Sequence, residues 1–346
     1  MDWIKAPIQP AGEAFAEQAR VRQATLTKPP GSLGFLEDIA VRLASLQQTG
    51  RPMIESVQVT VFAADHGIAE AGVSAFPQEV TGQMVTNFVN GGATANVLAR
   101  HLGACFEVVD TGLRSPLELT GLIVDRAGPG TANFAVQPAM TQAQLEVALN
   151  AGKSAVDRAV LRQVHLFIGG EMGIGNTTSA SALAAAVLKI SPHELTGAGT
   201  GLDAAGIQRK AALIEAALAL HLSALNSPFD MLKCLGGFEI AALTGAYISA
   251  AQQRMPVLVD GFISTVAALI AIEMAPDCAE WFFYGHVSQE RGHQWVLAFL
   301  KARPLLNLDM RLGEGSGALV AVPVLQMACK LHNEMATFEQ AGISAA

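Results

Sequence analysis

Five short apolar runs constrain what this chain can fold into: Val57–Ala64 (VQVTVFAA), Cys105–Asp110 (CFEVVD), His165–Gly169 (HLFIG), Pro256–Asp260 (PVLVD) and Trp281–Tyr284 (WFFY). Each is β-rich, almost unbroken in hydrophobicity, and runs into Gly, Asp or His. A strand with one wet face alternates apolar and polar residues; a continuous run is a strand buried on both faces, as in a parallel sheet. Between the runs lie Ala/Leu-rich segments of helical character at 78–101, 141–160, 176–189, 203–222, 237–253, 262–273 and 289–301. Strands alternating with helices predict an α/β layered fold with a parallel sheet, whose ligands gather at the carboxyl ends of the strands. Residues 1–50 and 317–346 carry no strand signal. They are expected to pack together as a small helical domain beside an α/β domain over 51–316.

Composition removes several functions. With 51% hydrophobic and 15% charged residues the chain can bury a large core, which excludes disorder. A formal charge of −8 and only 6% aromatics argue against nucleic-acid binding, which needs a basic stripe. The four cysteines (105, 234, 278, 329) show no CxxC spacing, so neither a disulfide framework nor a zinc site is expected. The N-terminus lacks the apolar core of a secretory signal. The longest apolar stretches, Ile240–Ala251 and Gly261–Ile272, run 12 residues, short of the ~20 of a spanning helix. A cytoplasmic protein without a membrane span is expected.

Chemistry concentrates in three glycine clusters. Gly169–Ser181 (GGEMGIGNTTSAS) follows an apolar run and opens a helix. Gly173 and Gly175 free backbone N–H groups to face an anion, Asn176 and Thr177 stand at the helix start, and Glu171 adds a carboxylate. The cluster is neither a Walker A loop nor GxGxxG. The second cluster, Gly197–Asp203 with Gly199 and Gly201, leads into a helix bearing Arg209 and Lys210, a pairing that suits a phosphate monoester. In the third, Arg311–Gly317, Glu314 sits between glycines before an apolar helix, a placement that presents a carboxylate with a raised pKa to a ligand. Asp65 and Asp260 follow apolar runs. No GxSxG elbow or HExxH motif is present, so neither a serine hydrolase nor a metal enzyme is expected. The residues alone describe a phosphorylated small molecule handled by a carboxylate base.

At these clusters the chain resembles the nicotinate-nucleotide:5,6-dimethylbenzimidazole phosphoribosyltransferase family. The resemblance rests on KPPGSLG (28–34), AADHGIAEAGVSAFPQEVTGQMV (63–85), NGGATANVLAR (90–100), GEMGIGNTTSASAL (170–183), GTGLD (199–203), GGFEIAALTGA (236–246), PVLVDGFIST (256–265), GHVSQERGH (285–293) and MRLGEGSGA (310–318), which follow in one order along nearly the whole chain. It implies a Rossmann-like sheet, a helical domain from both chain ends, and a homodimer. The implied reaction turns nicotinate mononucleotide and 5,6-dimethylbenzimidazole into α-ribazole 5′-phosphate and nicotinate, with inversion and without cofactor or metal. By resemblance Glu314 is the base and Glu171 a second acid in the site. Gly173, Gly175, Asn176, Thr177, Gly199, Gly201 and Lys210 serve the phosphate and ribose, Ser288 lies near the nicotinate, and Ser74, Phe76, Gln83, Met310 and Leu312 form the base pocket. A phosphosugar or nucleotide kinase, with Asp65 and Asp260 as its acid pair, and a non-catalytic nucleotide sensor are the alternatives.

Overall fold

A computed structural model describes residues 1–344, so the last two residues of the expected 317–346 segment lie outside the described residues. Seven strands form one sheet: β1 (Val57–Ala64), β2 (Cys105–Gly112), β3 (Leu122–Val124), β4 (Leu166–Met172), β5 (Val257–Val259), β6 (Phe282–His286) and β7 (Pro304–Leu306). Their order is β3-β2-β1-β4-β5-β6-β7 and every neighbouring pair is parallel. The five apolar runs are β1, β2, β4, β5 and β6. The edge strands β3 and β7 left no run to read, since each has three residues and neither is fully buried.

The helices are α1 (Glu13–Thr25), α2 (Phe35–Gln47), α3 (Val80–Val89), α4 (Thr94–Leu102), α5 (Gln142–Leu161), α6 (Asn176–Leu188), α7 (Pro192–Leu195), α8 (Ala204–His221), α9 (Pro228–Leu235), α10 (Phe238–Gln252), α11 (Phe262–Met274), α12 (Arg291–Phe299), α13 (Ser316–Glu334) and α14 (Phe338–Ala341). The single helix expected over 78–101 is two, α3 and α4. Asn90-Gly91-Gly92 interrupts it, with Gly91 at φ +77° and the Asn96 side chain accepting the Ala93 N–H to start the second helix. Among the described residues, no helix is long and apolar enough to cross a membrane.

Strand order reverses between β1 and β4, so the loops leaving these two strands diverge and open a crevice at their carboxyl ends. Beneath it α10 is buried on every side from Phe238 to Ala251, which explains why its sequence shows no polar stripe. It lies against α5 at backbone distance: a methyl group on Gly152 would overlap the Ala242 carbonyl, and one on Gly245 the Leu149 carbonyl. At the chain ends, the Arg22 guanidinium of α1 donates to the His332 carbonyl at the end of α13 (2.7 Å). Arg42 of α2 donates to the Glu280 and Phe282 carbonyls (2.7 and 2.8 Å) and covers the Phe283 ring at 4.3 Å. Ile39, Leu43 and Leu46 of α2 belong to the same apolar core as the sheet.

Gly152→Ala is expected to force α5 and α10 apart and to lower unfolding free energy by about 1–3 kcal/mol. Chemical denaturation measures this; an unchanged midpoint would show that the helices do not meet on backbone there.

Candidate active site

A cavity of ≈ 450 Å³ opens at the carboxyl ends of β4, β5 and β6, beside the strand-order reversal. Its walls come from the end of β4 and the start of α6, the Gly199–Thr200 loop, the start of α11, the loop after β6, and the Arg311–Glu314 turn.

That turn is set by backbone contact. Gly313, Glu314 and Gly315 follow one another at φ +91°, +65° and +79°. A left-handed conformation costs an ordinary residue about 1–2 kcal/mol, and here the cost falls on the one residue with a carboxylate. The turn rests on β4: a Cβ on Gly170 would sit 2.5 Å from the Glu314 carbonyl oxygen. On its other side, a Cβ on Gly313 would overlap Glu171 Oε1. The two acids therefore flank one glycine turn. Glu314 is buried, and its Oε2 has no hydrogen-bond partner. Burial raises its pKa above the ordinary glutamate range; the Ala95 N–H at the start of α4 opposes the shift, and the Asp260 charge adds to it.

Glu171 stands within β4, because the strand continues to Met172 rather than ending at Gly169. Its Oε2 accepts from Asn176 Nδ2. Burial drives its pKa well up, and the charges of Glu239, Asp260 and Glu314 push the same way. Asp260 is a third acid on the wall. Its Oδ1 accepts the Ala318 N–H (2.8 Å) in the first turn of α13, and His286 Nε2 lies 3.7 Å away. Burial raises its pKa against the opposing pull of His286. With Glu290, four buried carboxyl groups line this one cavity, and carboxylates brought together in this way repel one another when ionised.

Gly173, Asn176, Thr177, Gly199 and Thr200 form a further stretch of wall that begins beside Glu171. Lys210 reaches this wall from beneath: it is buried, and Nζ donates to Thr177 Oγ1 (2.7 Å). Burial lowers its pKa to about 8, with Glu290 pulling it back up. Gly175 and Gly201 are off the wall; Gly175 caps α6 and packs against His66 and Ile68. Ser288 is on the wall, and its N–H donates to His293 Nδ1 (2.8 Å). Burial lowers the His293 pKa to about 3, so the ring is neutral and its Nε2 proton goes to Thr265 Oγ1 (2.9 Å).

At the mouth, Phe76 and Leu312 line the cavity while staying 52% and 54% exposed, two apolar side chains with no apolar partner covering them. The other residues expected at a base pocket lie elsewhere. Ser74 is at the rim, where its hydroxyl bonds Thr200 Oγ1 (2.8 Å). Met310 is off the wall, and its carbonyl accepts the Gln289 N–H (3.0 Å). Gln83 lies on α3 and lines a separate cavity of ≈ 460 Å³ with Asp65 and Arg114. Asp65 and Asp260 thus open into different cavities, so the acid pair of the kinase alternative is not assembled. Sequence reasoning offered Asp260 only as an acid closing an apolar run and as half of the kinase pair, named Arg311 only as the start of the third glycine cluster, and gave Glu290 no role; all three line the cavity.

A family model described as phosphoribosyltransferase (DBI_PRT) matches residues 8–343. The chain is 55% identical over 343 residues to the nicotinate-nucleotide–dimethylbenzimidazole phosphoribosyltransferase of Pseudomonas putida (strain W619), covering 99% of this chain and 98% of that one. It is 55% identical over 344 residues to the enzyme of the same name from Xanthomonas euvesicatoria pv. vesicatoria (strain 85-10), covering 99% of each. Among solved structures, CobT from Thermus thermophilus superposes with a TM-score of 0.93 at 44% identity, covering 96% of this chain and 100% of that one.

Carbon-13 NMR of glutamate-labelled protein tests the electrostatics. The Glu314 carboxyl, assigned by its loss in Glu314→Gln, is expected to titrate above the ordinary value of about 4.3. A midpoint at or below that value would mean its environment is wet.

Proposed function

The chain belongs to the nicotinate-nucleotide–dimethylbenzimidazole phosphoribosyltransferase family, and from that premise we propose that its cavity moves the phosphoribosyl group by one inverting displacement with Glu314 as the base. The observation that carries this reading is the buried Glu314 carboxyl with a free Oε2 in a cavity whose mouth is apolar.

Nicotinate mononucleotide holds its ring through a cationic nitrogen, so the ring leaves as neutral pyridine nitrogen and requires no general acid. One nitrogen of 5,6-dimethylbenzimidazole attacks C1′ and forms the new bond. The old C1′–N pair departs with nicotinate, and the proton on the second benzimidazole nitrogen passes to Glu314. A carboxylate whose pKa is raised by burial accepts that proton more readily than an exposed one. Attack opposite the leaving ring turns a β-nucleotide into an α-product, which needs no covalent enzyme intermediate. Glu171 and Asp260 face the positive charge that grows at C1′. Phe76 and Leu312 take the faces of the flat base. Ser288, oriented through neutral His293, meets the nicotinate. Lys210, Thr177, Gly173 and Gly199 hold the phosphate. We further propose a cytoplasmic homodimer in which residues 1–50 and the helices after 316 act as a satellite domain.

The test mixes protein, nicotinate mononucleotide and dimethylbenzimidazole in EDTA and follows nicotinate by chromatography. Release that depends on the added base supports the reading; release only with ATP and magnesium points to a kinase. Glu314→Gln is expected to lose most turnover while still binding the nucleotide, and a near-normal rate would remove Glu314 as the base. Lys210→Ala is expected to weaken nucleotide binding by about 1.5–3 kcal/mol, the worth of a charge-assisted hydrogen bond. Equal affinities in calorimetry would place the phosphate elsewhere.

A further inference from the structure

The anion-binding wall already contains an anion. Glu290, in the loop between β6 and α12, is buried and lines the main cavity on the same side as Gly199 and Thr177. It also lines an adjoining cavity together with Gly197, Asp309 and Arg311, so it stands in the partition between the two. Its carboxylate presses on the glycine loop, where a Cβ on Gly197 would overlap Oε2. The Gly199 N–H and the charges of Lys210 and Arg311 face it. A Cβ on Gly199 would in turn sit 2.9 Å from Thr177 Oγ1 and 3.3 Å from Lys210 Nζ. Glu290, Gly199, Thr177 and Lys210 thus share one small space.

We propose that Glu290 is the internal counter-anion of the phosphate cradle, and that it takes up a proton from solvent when the phosphate of the substrate arrives. The proposal rests on the phosphate reading of this wall given above. Without ligand, the Glu290 charge offsets that of the buried Lys210, whose hydrogen-bond partner among the described residues is the Thr177 hydroxyl. A phosphate monoester is close to a dianion at neutral pH, and Lys210 with Arg311 supply two positive charges. The dianion therefore balances them only if Glu290 becomes neutral. One proton moves from buffer to the Glu290 carboxyl, and no bond breaks. Burial already raises the pKa of this carboxyl, against the opposing pull of Lys210, Arg311 and the Gly199 N–H. The other charged neighbours are Arg291 on its own helix, paired with Glu194 at 3.4 Å, and Asp309 across the adjoining cavity. A ligand without a phosphate leaves the Glu290 charge in place and takes up no proton there.

Calorimetry at pH 7.0 in two buffers of different ionisation enthalpy counts protons directly. Wild-type protein binding nicotinate mononucleotide is expected to take up most of one proton, and Glu290→Gln far less. The variant is also expected to bind about tenfold more tightly, one pH unit of removed charge conflict, and to lose the fall in affinity between pH 6.5 and 7.5. Lys210 also titrates, and Glu290 raises its pKa, so the two counts are repeated in a Lys210→Arg background, where the cation no longer titrates and the difference isolates Glu290. Equal or weaker affinity in Glu290→Gln, or the same proton count in both, overturns the proposal. If the variant does not fold, the wild-type count decides, and uptake near zero overturns it. Nicotinate riboside, which lacks the phosphate, separates the two readings. Wild-type protein that binds riboside and nucleotide equally would sink the phosphate cradle itself. Discrimination between them with an inert Glu290→Gln sinks only the role of Glu290.

Discussion

The cavity depends on one place where two backbones touch. The Glu314 carbonyl lies against Gly170 in the middle of β4, and no side chain fits between them. A strand in a buried parallel sheet is normally filled with branched residues, yet β4 reads LFIGGEM, with two glycines where Val or Ile would pack best. The lost packing is offset by what the gap admits. The turn drops onto the sheet, Glu314 is held in a left-handed conformation, and its carboxyl is fixed beside Glu171 rather than being left on a mobile loop.

Polar groups around this contact are kept away from water, and burial sets their chemistry. Glu171, Asp260 and Glu314 are all displaced toward the protonated form, while Lys210 and His293 are displaced toward the neutral form. Burial disfavours charge of either sign, so acids and bases here are shifted in opposite directions by the same cause. Glu171, Asp260 and Glu314 stand at the β4, β5 and α13 side, while Lys210 stands behind Thr177 with Glu290 facing it.

How much of this was legible in the letters follows from burial. The five inner strands announced themselves because strands covered on both faces are continuously apolar, and the glycine clusters because tight turns need glycine. The edge strands β3 and β7 are half-wet and three residues long, so nothing distinguished them from loop. Composition alone ran α3 and α4 together, since Asn90-Gly91-Gly92 is a small break in a long Ala/Val-rich stretch. Gln83 lines the cavity beside Asp65 and Arg114, and which opening a helix side chain reaches depends on how the helix docks, which the letters do not show. Glu290 and Arg311 are charged residues in loops, and only tertiary packing tells a buried counter-ion from a solvated one.

The bond between Ser74 and Thr200 has a consequence for entry. It joins the segment after β1 to the second glycine loop across the rim, and Ala75 N–H adds a donor to the same threonine oxygen at 3.1 Å. Ala75 and Thr200 are exposed and Ser74 is half-buried, so neither side is anchored there by apolar packing. A pair of such water-facing hydrogen bonds is worth only about 1–3 kcal/mol in total, far less than unfolding any part of the sheet. The rim at this point is therefore held by polar contacts that cost little to part, in contrast to the backbone-locked turn below.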